Sequence, residues 1–162
     1  MENIIKNKSY DKAQLKKYRK VLGKESPKSL KEFQELKYNN GGEWNIKQRE
    51  YSTMNSINNK EWSDKYKEKV KKVYYDFRTD NIELSCHGAQ RFVQRSVDKN
   101  GNAVFTKADI INIFNKKPNY SQEYGRLVNF NNGLAIIKNE NTNEIVSIVI
   151  RKNPKKEWKI ND

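Results

Sequence analysis

The spacing of apolar residues changes near residue 80, from intervals of three and four to an alternation of two. The first spacing puts apolar side chains on one face of a helix, whereas the second puts them on one face of a strand. Residues 1–80 therefore predict a helical region. Residues 81–162 predict a domain in which two helices precede an antiparallel sheet of three strands, and the fold class is α+β.

Four helices are predicted in the first region. Ser29 stands three residues before Glu32, the spacing of a capping box that opens a helix, and Gly23 ends the helix before it. Asn40 and the two glycines after it interrupt the chain. We assign the aromatic residues of these helices to a core, because helical spacing is what packing requires. The predicted helices cover residues 10–22, 30–37, 44–51 and 61–77.

Two helices and three strands are predicted in the second region. Thr106, three residues before Asp109, caps a helix that ends before Pro118. The tripeptide 131–133, Asn-Asn-Gly, predicts a hairpin, since these residues tolerate the positive φ of tight turns. The other predicted helix covers residues 84–97, and the strands cover 126–130, 134–138 and 144–152.

The net charge of +13 is spread over both regions. Such a field attracts polyanions, so the charge favours contact with nucleic acid. The alternative is that a Lys- and Asn-rich composition only keeps the protein soluble.

Several classes of protein are excluded. No apolar run approaches the roughly 20 residues that span a bilayer, and the first residues do not resemble a secretory signal. The single cysteine, Cys86, forms no internal disulfide, which suits a reducing compartment. One Cys and one His are too few for zinc, and no Gly-rich phosphate loop or D-x-D pair is present. We expect no membrane partner, no metal and no cofactor.

His87, Arg91 and Arg95 are spaced by four and so lie on one helical face. An imidazole moves protons near neutral pH, and guanidinium groups bind phosphate in bidentate fashion. Because His87 is the only histidine, it is the candidate general acid or base. The alternatives are a core histidine beside Cys86 and a solvated pair of arginines.

Ser147 and Arg151 are four apart in the third predicted strand and point to the same side. If the helix packs beside that face, His87, Ser147 and the arginines converge. The predicted catalytic residues are His87, Arg91 and Ser147. The predicted nucleic-acid-binding residues are Arg95, Arg126, Lys138, Arg151 and Lys152. The predicted chemistry is metal-independent cleavage, in which the RNA 2′-hydroxyl attacks its own phosphate, and this favours RNA over DNA.

Two stretches resemble phage proteins. Residues 18–23 and 27–39, followed by Glu43, Trp44 and Tyr51, are similar to the tail of phage minor head (head-morphogenesis) proteins. The stretch from His87 through Pro118 to Arg151 resembles phage-associated members of the barnase–EndoU–colicin–RelE-like nuclease group. This resemblance implies an RNase-like α+β domain with two helices and a three- or four-stranded antiparallel sheet.

The resemblance implies an RNase- or toxin-like activity with His87 and the sheet residues Arg126, Ser147 or Arg151 at the site. It also implies phage capsid components or an immunity protein as partners, and a place in the bacterial cytoplasm or in the virion. The leading hypothesis is thus a phage or mobile-element ribonuclease effector. The alternatives are a non-catalytic minor capsid or DNA-associated protein, and a protein-binding inhibitor or adaptor on the same fold.

Overall fold

The chain folds into two compact units, and the boundary between them along the sequence falls between Glu61 and Trp62. The computed structural model describes residues 2–161, and side chains from residue 4 onward. Within the described residues, helices make up the first unit and every strand lies in the second, so the predicted α+β class is confirmed. The helices of the first unit are α1 (Glu2–Lys6), α2 (Lys8–Leu22), α3 (Leu30–Asn39) and α4 (Gly41–Asn58).

Aromatic side chains fill the core of the first unit, as the helical spacing predicts. Tyr18 of α2 stacks on Tyr51 of α4 at 4.4 Å between ring centroids, and Phe33 of α3 meets Trp44 edge-on at 5.3 Å. Tyr18, Phe33 and Trp44 are buried. Stacked and edge-on rings add stabilisation beyond the burial of their area, so these contacts hold the three helices together.

A carboxylate is buried between α2 and α3. Asp11 is fully buried and accepts hydrogen bonds from Gln34 Nε2 at 3.0 Å, Lys37 Nζ at 2.8 Å and the Tyr38 hydroxyl at 3.0 Å. Burial alone raises the pKa of Asp11, but the hydrogen bonds from Lys37, Gln34 and Tyr38 outweigh burial and hold the pKa below its ordinary value. The charged carboxylate therefore ties the two helices together.

The predicted interruption at Asn40 is a one-residue joint between two helices. The Asn40 side chain accepts a hydrogen bond from the backbone N–H of Glu43, so the glycines after it form the first turn of α4. The predicted cap at Ser29 is present, with its hydroxyl accepting from the N–H of Glu32 at 3.1 Å.

The second unit contains three helices and a five-stranded antiparallel sheet in the order β4-β3-β2-β1-β5, counted over the described residues. Its boundary differs from the predicted one near residue 80, because α5 packs against α6. The capping box of Thr106 and Asp109 is present. The helices are α5 (Asp64–Arg78), α6 (Cys86–Arg95) and α7 (Lys107–Phe114). The strands are β1 (Tyr120–Gln122), β2 (Arg126–Asn131), β3 (Leu134–Asn139), β4 (Ile145–Ile150) and β5 (Lys159–Ile160).

Over the described residues the sheet has five strands, whereas three or four were predicted. Strands β2, β3 and β4 and the hairpin between β2 and β3 follow the prediction, with Asn132 at φ 49° and Gly133 at φ 82°. Strands β1 and β5 contain three and two residues, too few for an alternating pattern.

The two faces of the sheet are covered differently. Asn129 donates through Nδ2 to the carbonyl oxygens of Ile113 at 2.9 Å and Lys116 at 2.8 Å, which attaches β2 to the end of α7. Val128, the neighbour of Asn129, points to the opposite face and packs in a cluster with Ala135, Ile137 and Trp158. Helix α7 thus covers one face, and this apolar cluster lies on the other.

No helix in the described part of the chain combines the length and the apolar character that a membrane crossing requires.

Candidate functional site

Helix α6 is anchored to the outer edge of β4. Just before the helix, Ser85 N–H donates to the carbonyl oxygen of Ile145 at 2.9 Å, and Ile145 N–H donates to the carbonyl oxygen of Glu83 at 2.9 Å. Ser85 is also the N-cap, and its hydroxyl accepts from the N–H of Gly88 at 2.9 Å. At the other end, the Arg95 guanidinium donates to the carbonyl oxygen of Ile148. These bonds fix the start and the end of α6 against the same strand.

Gly88 allows the close approach of α6 to β4. A Cβ atom at this position would overlap the backbone carbonyl group of Ile145, which cannot move aside like a flexible side chain. The close approach fixes the direction in which the next turns of α6 present their side chains.

Gly88→Ala is therefore expected to lower the free energy of unfolding of the second unit by about 1–3 kcal/mol, the usual cost of overpacking. In a helix with free space the same change stabilises by about 0.5–1 kcal/mol. Gly42→Ala in α4 is the matched control, since nothing lies within 4 Å of its added Cβ. Hydrogen exchange of α6 and β4 amides, followed by mass spectrometry, measures the effect. Unchanged protection in Gly88→Ala would contradict this account of the packing.

A cleft of about 1070 Å³ lies between α6 and the sheet. His87, Arg91 and Arg95 line it from α6, and Arg126 lines it from the start of β2. Ser147 lines it from β4, and Arg151 lines it from the position just after that strand. The sequence predicts that these residues converge if the helix packs beside the strand of Ser147. The helix does so, and the six predicted residues line one cleft.

The lining side chains are accessible from solvent. His87 and Arg151 are exposed, whereas Arg91, Arg95 and Ser147 are half-buried. An exposed imidazole at the first turn of α6 is not a core histidine, so that alternative is wrong. The imidazole stands where it can meet a ligand in the cleft.

The cleft carries a strong positive charge. Among the described residues that line it, five are basic, four arginines and one lysine, and one, Glu144, is acidic. Burial lowers the pKa of the Arg95 guanidinium, and the positive charge of Arg91 lowers it further. An anion in the cleft would relieve the repulsion between these guanidinium groups, so the arrangement favours an anionic ligand. The five cationic residues are Arg91, Arg95, Arg126, Arg151 and Lys155.

Two predicted nucleic-acid-binding residues do not line this cleft. Lys138 is 5% exposed, and its Nζ lies 4.6 Å from the centroid of the Phe114 ring. It is on the face covered by α7, and its burial lowers the pKa of its ammonium group. This placement differs from the prediction, because the ammonium is held against an aromatic ring and is withdrawn from solvent. Lys152 lines a neighbouring pocket.

Several residues of the cleft are not among the predicted site residues. Glu144 and Lys155 lie in connections on either side of β4, where no alternating pattern tells which side chain points inward. Gln122 lies on β1, which is itself too short to be predicted. Asn139 lies at the end of β3, one residue beyond the predicted strand. The sequence offered a usable signal for Glu144, an acidic residue that the prediction places at the start of the third strand and that lies one residue before β4 in the structure.

Within the described residues, no three or more His, Cys, Asp and Glu side chains form a group that could hold a metal ion. The cleft accordingly presents an imidazole, a carboxylate, a hydroxyl and several guanidinium groups as its chemical equipment.

Comparison with protein-family models, curated proteins and solved structures finds no match to this chain.

Proposed function

We propose that the protein is a metal-independent endoribonuclease of phage or mobile-element origin. The observation that carries the proposal is the convergence of an exposed imidazole, Arg91, Arg95 and Arg126 in one cleft. These groups come from two different parts of the second unit. RNA cleavage needs a group that transfers protons and cations that bind the phosphate, and the imidazole and the arginines supply these.

The reaction transfers two protons and needs no added water. The 2′-oxygen attacks the adjacent phosphorus, the bond from phosphorus to the 5′-oxygen breaks, and a 2′,3′-cyclic phosphate and a 5′-hydroxyl result. One group takes the proton from the 2′-hydroxyl, and another gives a proton to the leaving 5′-oxygen. His87 is the general acid or base, and Glu144, which lines the same cleft, is its partner in the second transfer.

The arginines bind the phosphate and stabilise the negative charge that builds on its oxygens. Arg95 suits this role because its contact with the Ile148 carbonyl oxygen holds the guanidinium in place before a substrate arrives. Arg91 and Arg126 flank the phosphate from the helix and from the sheet. The Ser147 hydroxyl donates a hydrogen bond to a phosphate oxygen.

The test uses the wild-type chain, excess EDTA and two oligonucleotides of the same sequence. The RNA oligomer is expected to be cut to products that end in a 2′,3′-cyclic phosphate, which mass spectrometry identifies. The DNA oligomer is expected to bind and stay intact, because it lacks the attacking hydroxyl. No cleavage of any RNA by folded protein, or cleavage only after Mg²⁺ is added, would overturn the proposal.

A second function is non-catalytic binding of nucleic acid. The excess of five cationic side chains over one carboxylate in the cleft favours it, since charge alone supports binding without chemistry. RNA and DNA that bind equally, with affinity that falls steeply with salt and without cleavage, would favour this function.

The origin in a phage or mobile element is supported by the resemblance of residues 18–39 to minor head proteins and of residues 87–151 to phage-associated nucleases. A phage or mobile-element origin implies that the protein acts in the bacterial cytoplasm or in the virion. It also implies capsid components or an immunity protein as partners.

A further inference from the structure

A second pocket adjoins the cationic cleft and has a different chemical character. It has a volume of about 500 Å³, within the range of roughly 300–1,000 Å³ that small-ligand sites occupy. Ile150 and Arg151 line both the pocket and the cleft, so a chain whose phosphate lies in the cleft has a neighbouring group within reach of the pocket.

Carboxamide side chains distinguish this pocket from the cleft. Asn112 of α7, Asn131 at the end of β2 and Asn132 of the hairpin turn all line it. Within the part of the chain that has described side chains, none of these three carboxamides forms a hydrogen bond. Asp109, which also lines the pocket, is already engaged, since its carboxylate accepts from the N–H of Thr106 at 2.8 Å.

The walls of the pocket combine apolar surface with these amides. Val104 and Ile150 are about half exposed, 48% and 49%, and supply an apolar surface for a flat ring. A guanidinium plane such as that of Arg151 stacks on a base, and a carboxamide supplies one donor and one acceptor for its edge. The backbone of Arg151 is fixed to the hairpin turn, because its N–H donates to the carbonyl oxygen of Gly133 at 2.8 Å.

We infer that this pocket binds one unstacked nucleobase of the RNA whose phosphate lies in the cleft. The inference rests on the proposed function and adds to it the residues that select the base. Asn112 and Asn132 contact the edge of the base, Val104 and Ile150 contact its face, and Arg151 joins the base subsite to the phosphate subsite.

The experiment separates the base from the phosphates. Five-nucleotide abasic ribose-phosphate oligomers carry a single A, C, G or U at the central position, and a fully abasic pentamer reports the backbone alone. The His87→Ala protein is used so that the oligomers are not cleaved. At least one base is expected to strengthen binding by about tenfold over the abasic pentamer, the effect of a single bidentate contact.

The double variant Asn112→Ala, Asn132→Gly is expected to lose this ratio and to keep its affinity for the abasic pentamer. Glycine retains the positive φ of 49° that the turn needs at residue 132, and Asn112 is exposed, so both changes suit the native backbone. Asn115→Ala is the control, since this exposed carboxamide at the end of the same helix lies outside the pocket.

Each outcome has one meaning. A ratio that survives in the double variant, or a wild-type site that binds all five oligomers equally, would overturn the base subsite and leave phosphate binding in place. Failure of every oligomer to bind, the abasic one included, would overturn the phosphate site as well and with it the proposed function.

Discussion

His87→Ala is expected to lower the rate of RNA cleavage in EDTA by about 100-fold or more, the range that a positioned general acid or base contributes. His87 carries the single imidazole of the sequence, and imidazole is the side chain best suited to proton transfer near neutral pH. The rate is measured under single-turnover conditions with a labelled oligomer. Binding is expected to change little, because the arginines remain.

The control for this variant is Lys156→Ala, which removes a cation from an exposed position outside the cleft, next to Lys155. Its cleavage rate is expected to stay within about twofold of wild type, since surface changes away from a site have small effects. Circular dichroism establishes that both variants are folded. A folded His87→Ala protein that cleaves RNA at the wild-type rate would remove the imidazole from the mechanism.

Asp11→Ala is expected to destabilise the first unit by about 3 kcal/mol, the lower end of the cost of breaking a buried ion pair. The change removes the charged acceptor of the Lys37 ammonium and of the Gln34 amide at a position where Asp11 is fully buried. Among the described residues, Lys37 keeps only the neutral Gln14 Oε1 as an acceptor, and Gln34 keeps the carbonyl oxygen of Ile4. A loss of this size is a large fraction of the stability of a small domain. Hydrogen exchange of amides in α2 and α3 measures it separately from the second unit.

The same carboxylate gives the first unit an acid-sensitive stability. The folded pKa of Asp11 lies below its unfolded value, 3.8, so its contribution is present above that pH and is lost as pH falls through the folded pKa. Glu43→Gln, at an exposed position, is the control and is expected to change stability by less than about 0.5 kcal/mol. Equal protection of α2 amides in Asp11→Ala and wild type would contradict the buried role of Asp11.

Features that depend on a single element could be predicted from the sequence. The helical period fixes His87, Arg91 and Arg95 on one stripe wherever the helix lies. The helix caps at Ser29 and Thr106 and the Asn-Gly turn are also local, because each depends on residues within four positions of one another. Strand pairing of β2, β3 and β4 follows from short connections between strongly patterned segments.

Features that depend on how elements pack could not be predicted. The convergence of α6 with Ser147 requires the bonds of Ser85 and the close approach at Gly88, which nothing in the local pattern shows. Alternation does not tell which face of a strand α7 will cover, and a register shift between Ile137 and Lys138 adds to the ambiguity. The placement of Lys138 against Phe114 is therefore determined by the packing of α7 on the sheet.

The attachment of α6 along β4 has a consequence for aggregation. An outer strand with unsatisfied backbone groups pairs readily with other chains. Here the N–H and carbonyl oxygen of Ile145 and the carbonyl oxygen of Ile148 form hydrogen bonds within the same unit. Helix α6, which carries His87, thus also covers the outer edge of the sheet. A substitution that alters only the His87 side chain is expected to leave these bonds in place and self-association unchanged. A substitution that displaces α6, such as one at Gly88, exposes the edge of β4, and loss of activity is then expected together with self-association.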